Sequence, residues 1–131
     1  MSTRDETAAT VRAYADAWRN GDAAALVALY ADGFTLHYFG RSPLAGDHAG
    51  KATALATLAK VQQLTSRKLV EVHDVLAGDD HGAILAHERW DHGGHTLDVR
   101  RVLVYHVKDG KLSECWIYDD DQRAVDEVWT E

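Results

Sequence analysis

Cysteine occurs once, at Cys115, so an internal disulfide and a thiolate-rich zinc site are both excluded. Redox chemistry has almost nothing to work with. No apolar run is long enough to span a bilayer, and the opening Met1-Ser2-Thr3-Arg4-Asp5-Glu6-Thr7 lacks the apolar core of a signal peptide. A cytoplasmic protein with no membrane partner is therefore expected. Positive charge is in short supply: 14 Lys and Arg stand against 21 Asp and Glu, for a formal net charge of −7, and the cations are scattered. A phosphate-backbone binder leaves a different footprint, so nucleic acid is not an expected partner. The chain also lacks a Ser-His-Asp signature, a nucleophile elbow and a phosphate-cradling glycine loop, and no cofactor is expected.

What is present suits one folded unit. The 46% hydrophobic and 27% charged fractions are those of ordinary globular proteins, and 131 residues suffice for one core, so a single domain over 1–131 is expected. Val11, Tyr14, Ala15 and Trp18 fall at helical spacing before Gly21, which predicts a helix over 7–20. Asp22 can cap a second helix, Ala23 to Ala31. Phe34 to Phe39 reads as a strand, and Gly40, Pro43, Gly46 and Gly50 mark an irregular loop. A third helix is expected from Lys51 to Thr65, where Leu55, Leu58, Val61 and Leu64 form a stripe.

Beyond Ser66 the hydrophobic period becomes two. Lys68 to Ala77, Ala83 to Asp91, Thr96 to Val107 and Leu112 to Asp119 read as strands joined by short turns, hence antiparallel. The tail from Asp121 places Val125, Val128 and Trp129 at helical spacing. Along 96–107, alternation puts Asp98, Arg100, Val102, Val104 and His106 on one face and Val99, Arg101, Leu103, Tyr105 and Val107 on the other. Both faces carry apolar residues, whereas three helices cover only one. A homodimer packed through the uncovered sheet face is therefore expected.

Five stretches add wording to this order of elements: Tyr14-Ala15-Asp16-Ala17-Trp18-Arg19-Asn20-Gly21-Asp22, Val27-Ala28-Leu29-Tyr30-Ala31-Asp32, Ser42-Pro43-Leu44-Ala45-Gly46, Asp109-Gly110-Lys111-Leu112, and Asp121-Gln122-Arg123-Ala124-Val125-Asp126-Glu127-Val128-Trp129. With them the chain resembles the nuclear-transport-factor-two-like superfamily, which includes ketosteroid isomerase and SnoaL-like polyketide cyclases. The resemblance implies a cystatin-like α+β fold, a cone-shaped curved antiparallel sheet packed against three helices of the N-terminal half, with an internal, mostly apolar pocket.

The resemblance also implies site residues. Against ketosteroid isomerase, Tyr14 matches the oxyanion-stabilising tyrosine, but the base position falls on Tyr38 and the protonated acid on Val102. Steroid isomerisation by that route is not expected. SnoaL-like cyclases place an acid/base aspartate late in the sheet, and Asp119, on the face of Cys115 and Ile117, is similar. Limonene-type epoxide hydrolases use an aspartate, an arginine and a second aspartate; Arg100 is similar to that arginine, with Asp98 in place of the expected neighbour.

Histidine is plentiful, with eight residues. His87 shares a face with Leu85 and Arg89 and is expected to act beside Asp119 as a second acid/base. His37, next to Tyr38 and just before the loop, is expected to line the pocket. His92-Gly93-Gly94-His95 straddles a tight turn and lacks the spacing of a metal site. Tyr14 and Trp18 on the first helix would meet the open end of the sheet, where the tyrosine hydroxyl could donate to a carbonyl. Together these residues predict a cofactor-independent cyclase, isomerase or dehydratase acting on a small apolar carbonyl compound. A noncatalytic binding module and an epoxide hydrolase-like enzyme are the alternatives.

Overall fold

Thr3 starts the first helix by accepting a hydrogen bond from the Glu6 amide at 3.2 Å, and Gly21, at φ 64°, ends it by donating back to Trp18. These residues belong to a computed structural model that describes residues 3–129. Helix α1 (Arg4–Asn20) is followed by α2 (Ala23–Leu29), whose Asp22 cap accepts from the Ala25 amide. The second helix is shorter than its sequence suggests, because Tyr30 is already extended. Strand β1 (Tyr30–Tyr38) starts there, ahead of the predicted Phe34.

The glycine-rich stretch after β1 is not wholly irregular: Gly46–Ala49 forms β2, paired antiparallel with Thr35–Tyr38. Then come α3 (Lys51–Thr65), β3 (Lys68–Ala77), β4 (His81–His92), β5 (His95–Lys108), β6 (Lys111–Asp119) and α4 (Gln122–Val128). None of the described helices is long and apolar enough to cross a membrane.

All six strands join one curved, open sheet in the order β2-β1-β6-β5-β4-β3. The last four are antiparallel neighbours, as short turns require. One pairing departs from the expected antiparallel sheet: β1 lies parallel to β6. The chain reaches β6 from β1 through α3 and four strands rather than a tight turn, so nothing forces reversal. On one face of the sheet α1 lies against β3, β4 and β5, while α3 lies against β1, β2 and β4. Gly82 makes the first approach feasible, since a Cβ there would stand 2.5 Å from Val11 Cγ2.

The helix-covered face buries Ile84, Ala86, Glu88 and Trp90 from β4 and Val99, Arg101, Leu103, Tyr105 and Val107 from β5. Leu112, Cys115 and Ile117 from β6 join them, with Phe34, Leu36 and Tyr38 from β1. Helix α4 closes one end. Gly40 leaves room for Asp126, whose carboxylate accepts from the Arg41 amide at 3.1 Å, and Trp129 meets Trp90 edge-on at 6.0 Å.

Candidate functional site

Arg101 is the centre of a buried ionic cluster on the inner face. Its strand neighbour in register is Asp119, so both side chains point inward side by side. The guanidinium donates from Nε to Asp119 Oδ1 at 2.7 Å and from Nη2 to Asp119 Oδ2 at 3.0 Å. From Nη1 it donates to Glu88 Oε1 at 3.3 Å, and the Trp90 indole N–H donates to the same oxygen at 2.9 Å. Arg101 also lies over the Trp90 ring, 5.1 Å from its centroid. None of the three charged side chains is more than 2% exposed.

Two carboxylates thus share one guanidinium away from water. Burial pushes Glu88 up, but Arg101, Arg67 and the Trp90 N–H together hold it below the usual carboxylate range. Asp119 ends on the other side. Burial raises it and outweighs its twin bonds to Arg101, with the charges of Glu88 and Asp120 adding to the rise. The same two carboxylates keep Arg101 firmly protonated despite its burial. One acid is therefore kept charged and its neighbour is pushed toward the neutral form. Beside them the Tyr38 hydroxyl is buried close to Arg101 and makes no well-formed hydrogen bond among the described residues.

Glu88 also lines an internal cavity of ≈ 70 Å³. Tyr14, Trp18, Tyr30, Tyr105 and Cys115 form much of its wall. Tyr14 and Tyr30 share a hydroxyl–hydroxyl hydrogen bond, and the Tyr14 ring stands 5.2 Å from that of Tyr105. Burial pushes all three phenols up, so they are proton donors rather than phenolates. Burial likewise raises the Cys115 thiol to about 12, too high for a nucleophile.

The residues predicted from the sequence divide by face. Tyr14, Trp18 and Ile117 line the cavity, and Tyr38 and Asp119 lie in or beside the ionic cluster. His87, Asp98, Arg100 and Val102 send their side chains to the outer face of the sheet, where Arg100 and Val102 line, with Tyr118, Asp119 and Asp120, an open groove of ≈ 300 Å³ separate from the internal cavity. There His87 Nε2 meets Asp98 Oδ1 at 2.9 Å and Arg89 Nε donates to the same oxygen at 3.1 Å. His87 is thus not beside Asp119, and the arginine on the aspartate is Arg101, not Arg100.

His37 also faces outward, one position out of phase with Tyr38. Its Nδ1 lies 2.6 Å from Asp47 Oδ1 and its Nε2 lies 2.7 Å from Glu114 Oε2, while its ring stacks on Trp116. Among the described residues no group of three or more His, Cys, Asp or Glu could hold a metal ion.

The parity error has a physical origin. On β4 and β5 both alternating sets contain apolar residues, so apolar character alone does not choose the inner one. Size does: Trp90, Leu103 and Tyr105 have more area to bury than Leu85, Val102 and Val104. Followed two by two, those large residues lead to Glu88 and Arg101, the members of the cluster that a charged residue's usual exposure conceals.

The SnoaL-like domain family matches residues 11–115 of the chain. No curated protein matches it. The solved structure of Bal32a, from a soil-derived mobile gene cassette, is 30% identical, with a TM-score of 0.86 over 96% of this chain and 98% of that one. A protein with a cystatin-like fold from Xanthomonas campestris is 26% identical, with a TM-score of 0.86 over 94% and 97%. An NTF2-like protein from Burkholderia xenovorans LB400 is 24% identical, with a TM-score of 0.79 over 98% of each chain. By the span of that family match the chain belongs to the SnoaL-like domain family, and its fold is that of the NTF2-like structure from Burkholderia xenovorans.

Proposed function

We propose that the interior of the cone is the site of a cofactor-independent acid/base enzyme, a cyclase, isomerase or dehydratase acting on a small, largely apolar carbonyl compound. The observation that carries this reading is the pair of buried carboxyls on Arg101, one charged and one pushed toward neutrality, of which Glu88 lines an aromatic cavity. Environments that separate two acids in this way assign them different roles. Asp119 lies one inward position beyond Ile117, about 7 Å further along the strand, so a substrate would have to extend past Ile117 to meet it.

In this reading Asp119, as the carboxylate, takes a proton from the carbon next to the substrate carbonyl. The electron pair left behind moves onto the carbonyl oxygen as an enolate, which accepts hydrogen bonds from the hydroxyls of Tyr38 and Tyr14. Returning the proton at another carbon gives isomerisation; attack of the enolate carbon on a second carbonyl gives ring closure. Raised basicity suits Asp119 to the first step, while Glu88 stays charged and fixes Arg101. Two copies packed through the outer sheet face, where Tyr118 is 50% exposed, complete the proposed arrangement.

A direct test is exchange of α-hydrogen for deuterium in small aromatic ketones incubated with the protein in D2O, followed by proton NMR. The wild type should catalyse exchange, and Asp119→Asn should slow it by about 10²–10⁴-fold with the fold intact. Equal exchange by both proteins would remove Asp119 from this role.

A second reading draws on the same carboxyl pair. Glu88, held charged, would activate a water, and Asp119, held neutral, would protonate the oxygen of an opening epoxide. Incorporation of ¹⁸O from labelled water into a diol product would select this reading over the first.

A further inference from the structure

Arg67 lies between α3 and β3 and lines the same internal cavity as Tyr14, Trp18 and Glu88. Unlike Arg101 it has no carboxylate within ion-pair distance among the described residues. Its contacts instead hold it in place: Nε donates to Gln62 Oε1 at 3.2 Å, and Gln62 Nε2 donates back to the Arg67 carbonyl at 3.1 Å. Ser66, the other residue of this connection, is fixed in the left-handed region at φ 46°. With Nε used by Gln62, the two terminal amino groups make no hydrogen bond among the described residues. Arg67 is half-buried, so its charge is felt inside; it is among the groups that lower Glu88, Tyr14 and Tyr30.

Apart from Glu88, Arg67 is the one charged group on the wall of a mainly aromatic and aliphatic cavity. Glu88 is not its partner, since that carboxylate is already bonded to Arg101 and to the Trp90 indole. The planar fork of arginine matches a carboxylate through two parallel N–H bonds, and such charge-assisted pairs strengthen when water is partly excluded. Tyr14, Tyr30 and Tyr105 add proton donors, not negative charge, so the cavity is hospitable to one anionic group.

We infer that the substrate carries a carboxylate as well as its carbonyl, that the Arg67 guanidinium binds that carboxylate at the cavity rim, and that Arg67 thereby determines specificity. This deepens the enzymatic reading of the cavity and rests on it. The substrate class is then a small aromatic or apolar keto acid, oriented with its acid at Arg67 and its carbonyl end toward Tyr14, Tyr38 and Asp119.

Isothermal titration with benzoate and cinnamate against benzamide and cinnamamide tests it, using the wild type, Arg67→Gln and Arg67→Lys. In the wild type the acids should bind at least about 10-fold more tightly than the amides, the scale of one charge-assisted pair. Arg67→Gln should abolish that preference with little effect on the amides, and Arg67→Lys should retain part of it. Equal binding of acids and amides, no binding of either, or an equal loss for both in Arg67→Gln would overturn the inference. Failure of the broader reading looks different. Acid-selective binding without deuterium exchange on any ketone or keto acid would sink the enzymatic reading alone; exchange on neutral ketones without acid preference would sink only the role of Arg67.

Discussion

Arg101 holds both oxygens of Asp119 across the β5–β6 pairing, at 2.7 and 3.0 Å, and touches Glu88 on the opposite side. Removing the cation leaves two carboxylates buried without compensation. Arg101→Met should therefore lower unfolding free energy by about 3–5 kcal/mol at neutral pH, measured by urea titration. Part of the loss should return below pH 5, where the carboxyls can protonate. A variant as stable as the wild type at pH 7 would mean that the cluster is hydrated.

Tyr38 offers the opposite case. Its buried hydroxyl makes no well-formed hydrogen bond among the described residues, so Tyr38→Phe removes a polar atom at little cost to the fold. Thermal stability should hold or rise, whereas the deuterium-exchange rate should fall by about 10²-fold if the hydroxyl supports the enolate. A destabilised variant with undiminished exchange would contradict both halves.

His37 sets a pH dependence. Burial opposes its charge, but bonds to Asp47 and Glu114 outweigh this and raise it above its ordinary 6.5. A group whose folded pKa exceeds its unfolded value stabilises fully below 6.5, and that contribution disappears as pH rises through the folded value. Asp80 and Asp98, lowered chiefly by their bonds to His81 and His87, titrate well below this window and do not confuse it. Urea midpoints should thus decline from pH 6 to pH 8.5 in the wild type, and the decline should be smaller in His37→Gln. Parallel curves for the two proteins would refute the assignment.

Gly82 holds the α1–β4 spacing. Gly82→Ala places a methyl carbon 2.5 Å from Val11 Cγ2 and should cost about 1–3 kcal/mol, read by chemical denaturation. Recovery in the double variant Gly82→Ala with Val11→Ala would tie the loss to this contact.

The outer sheet face exposes Leu76 and Tyr118, each 50% accessible. If two copies meet there, Tyr118→Glu should convert the sedimentation coefficient from that of a dimer to that of a monomer. A wild-type monomer at high concentration would remove the proposed pairing.

Where one cue decided an element, the sequence was enough. Gly21 and Asp22 bound the first two helices, and the glycine-bearing turns separate β4, β5 and β6. On β6 the larger Trp116 and Tyr118 face outward, so it is the family resemblance rather than apolar character that places Asp119 with Cys115 and Ile117. On β5 two cues competed: Val102 and Val104 are as apolar as Val99 and Val107, so the charged pair Arg100-Arg101 could be read either way. Only the assembled sheet, with Tyr105 beneath α1 and Asp119 beside Arg101, chooses between them. The parallel placement of β1 was equally hidden, since pairing between strands some 80 residues apart leaves no local trace.

The single sulfhydryl is buried on the inner side of the sheet, its proton held tightly by burial, and leaves the exterior without a thiol for maleimides. One cysteine introduced on the solvent side of β4 or β5 would consequently accept a reporter dye alone, allowing assembly and ligand entry to be followed in the otherwise native polypeptide.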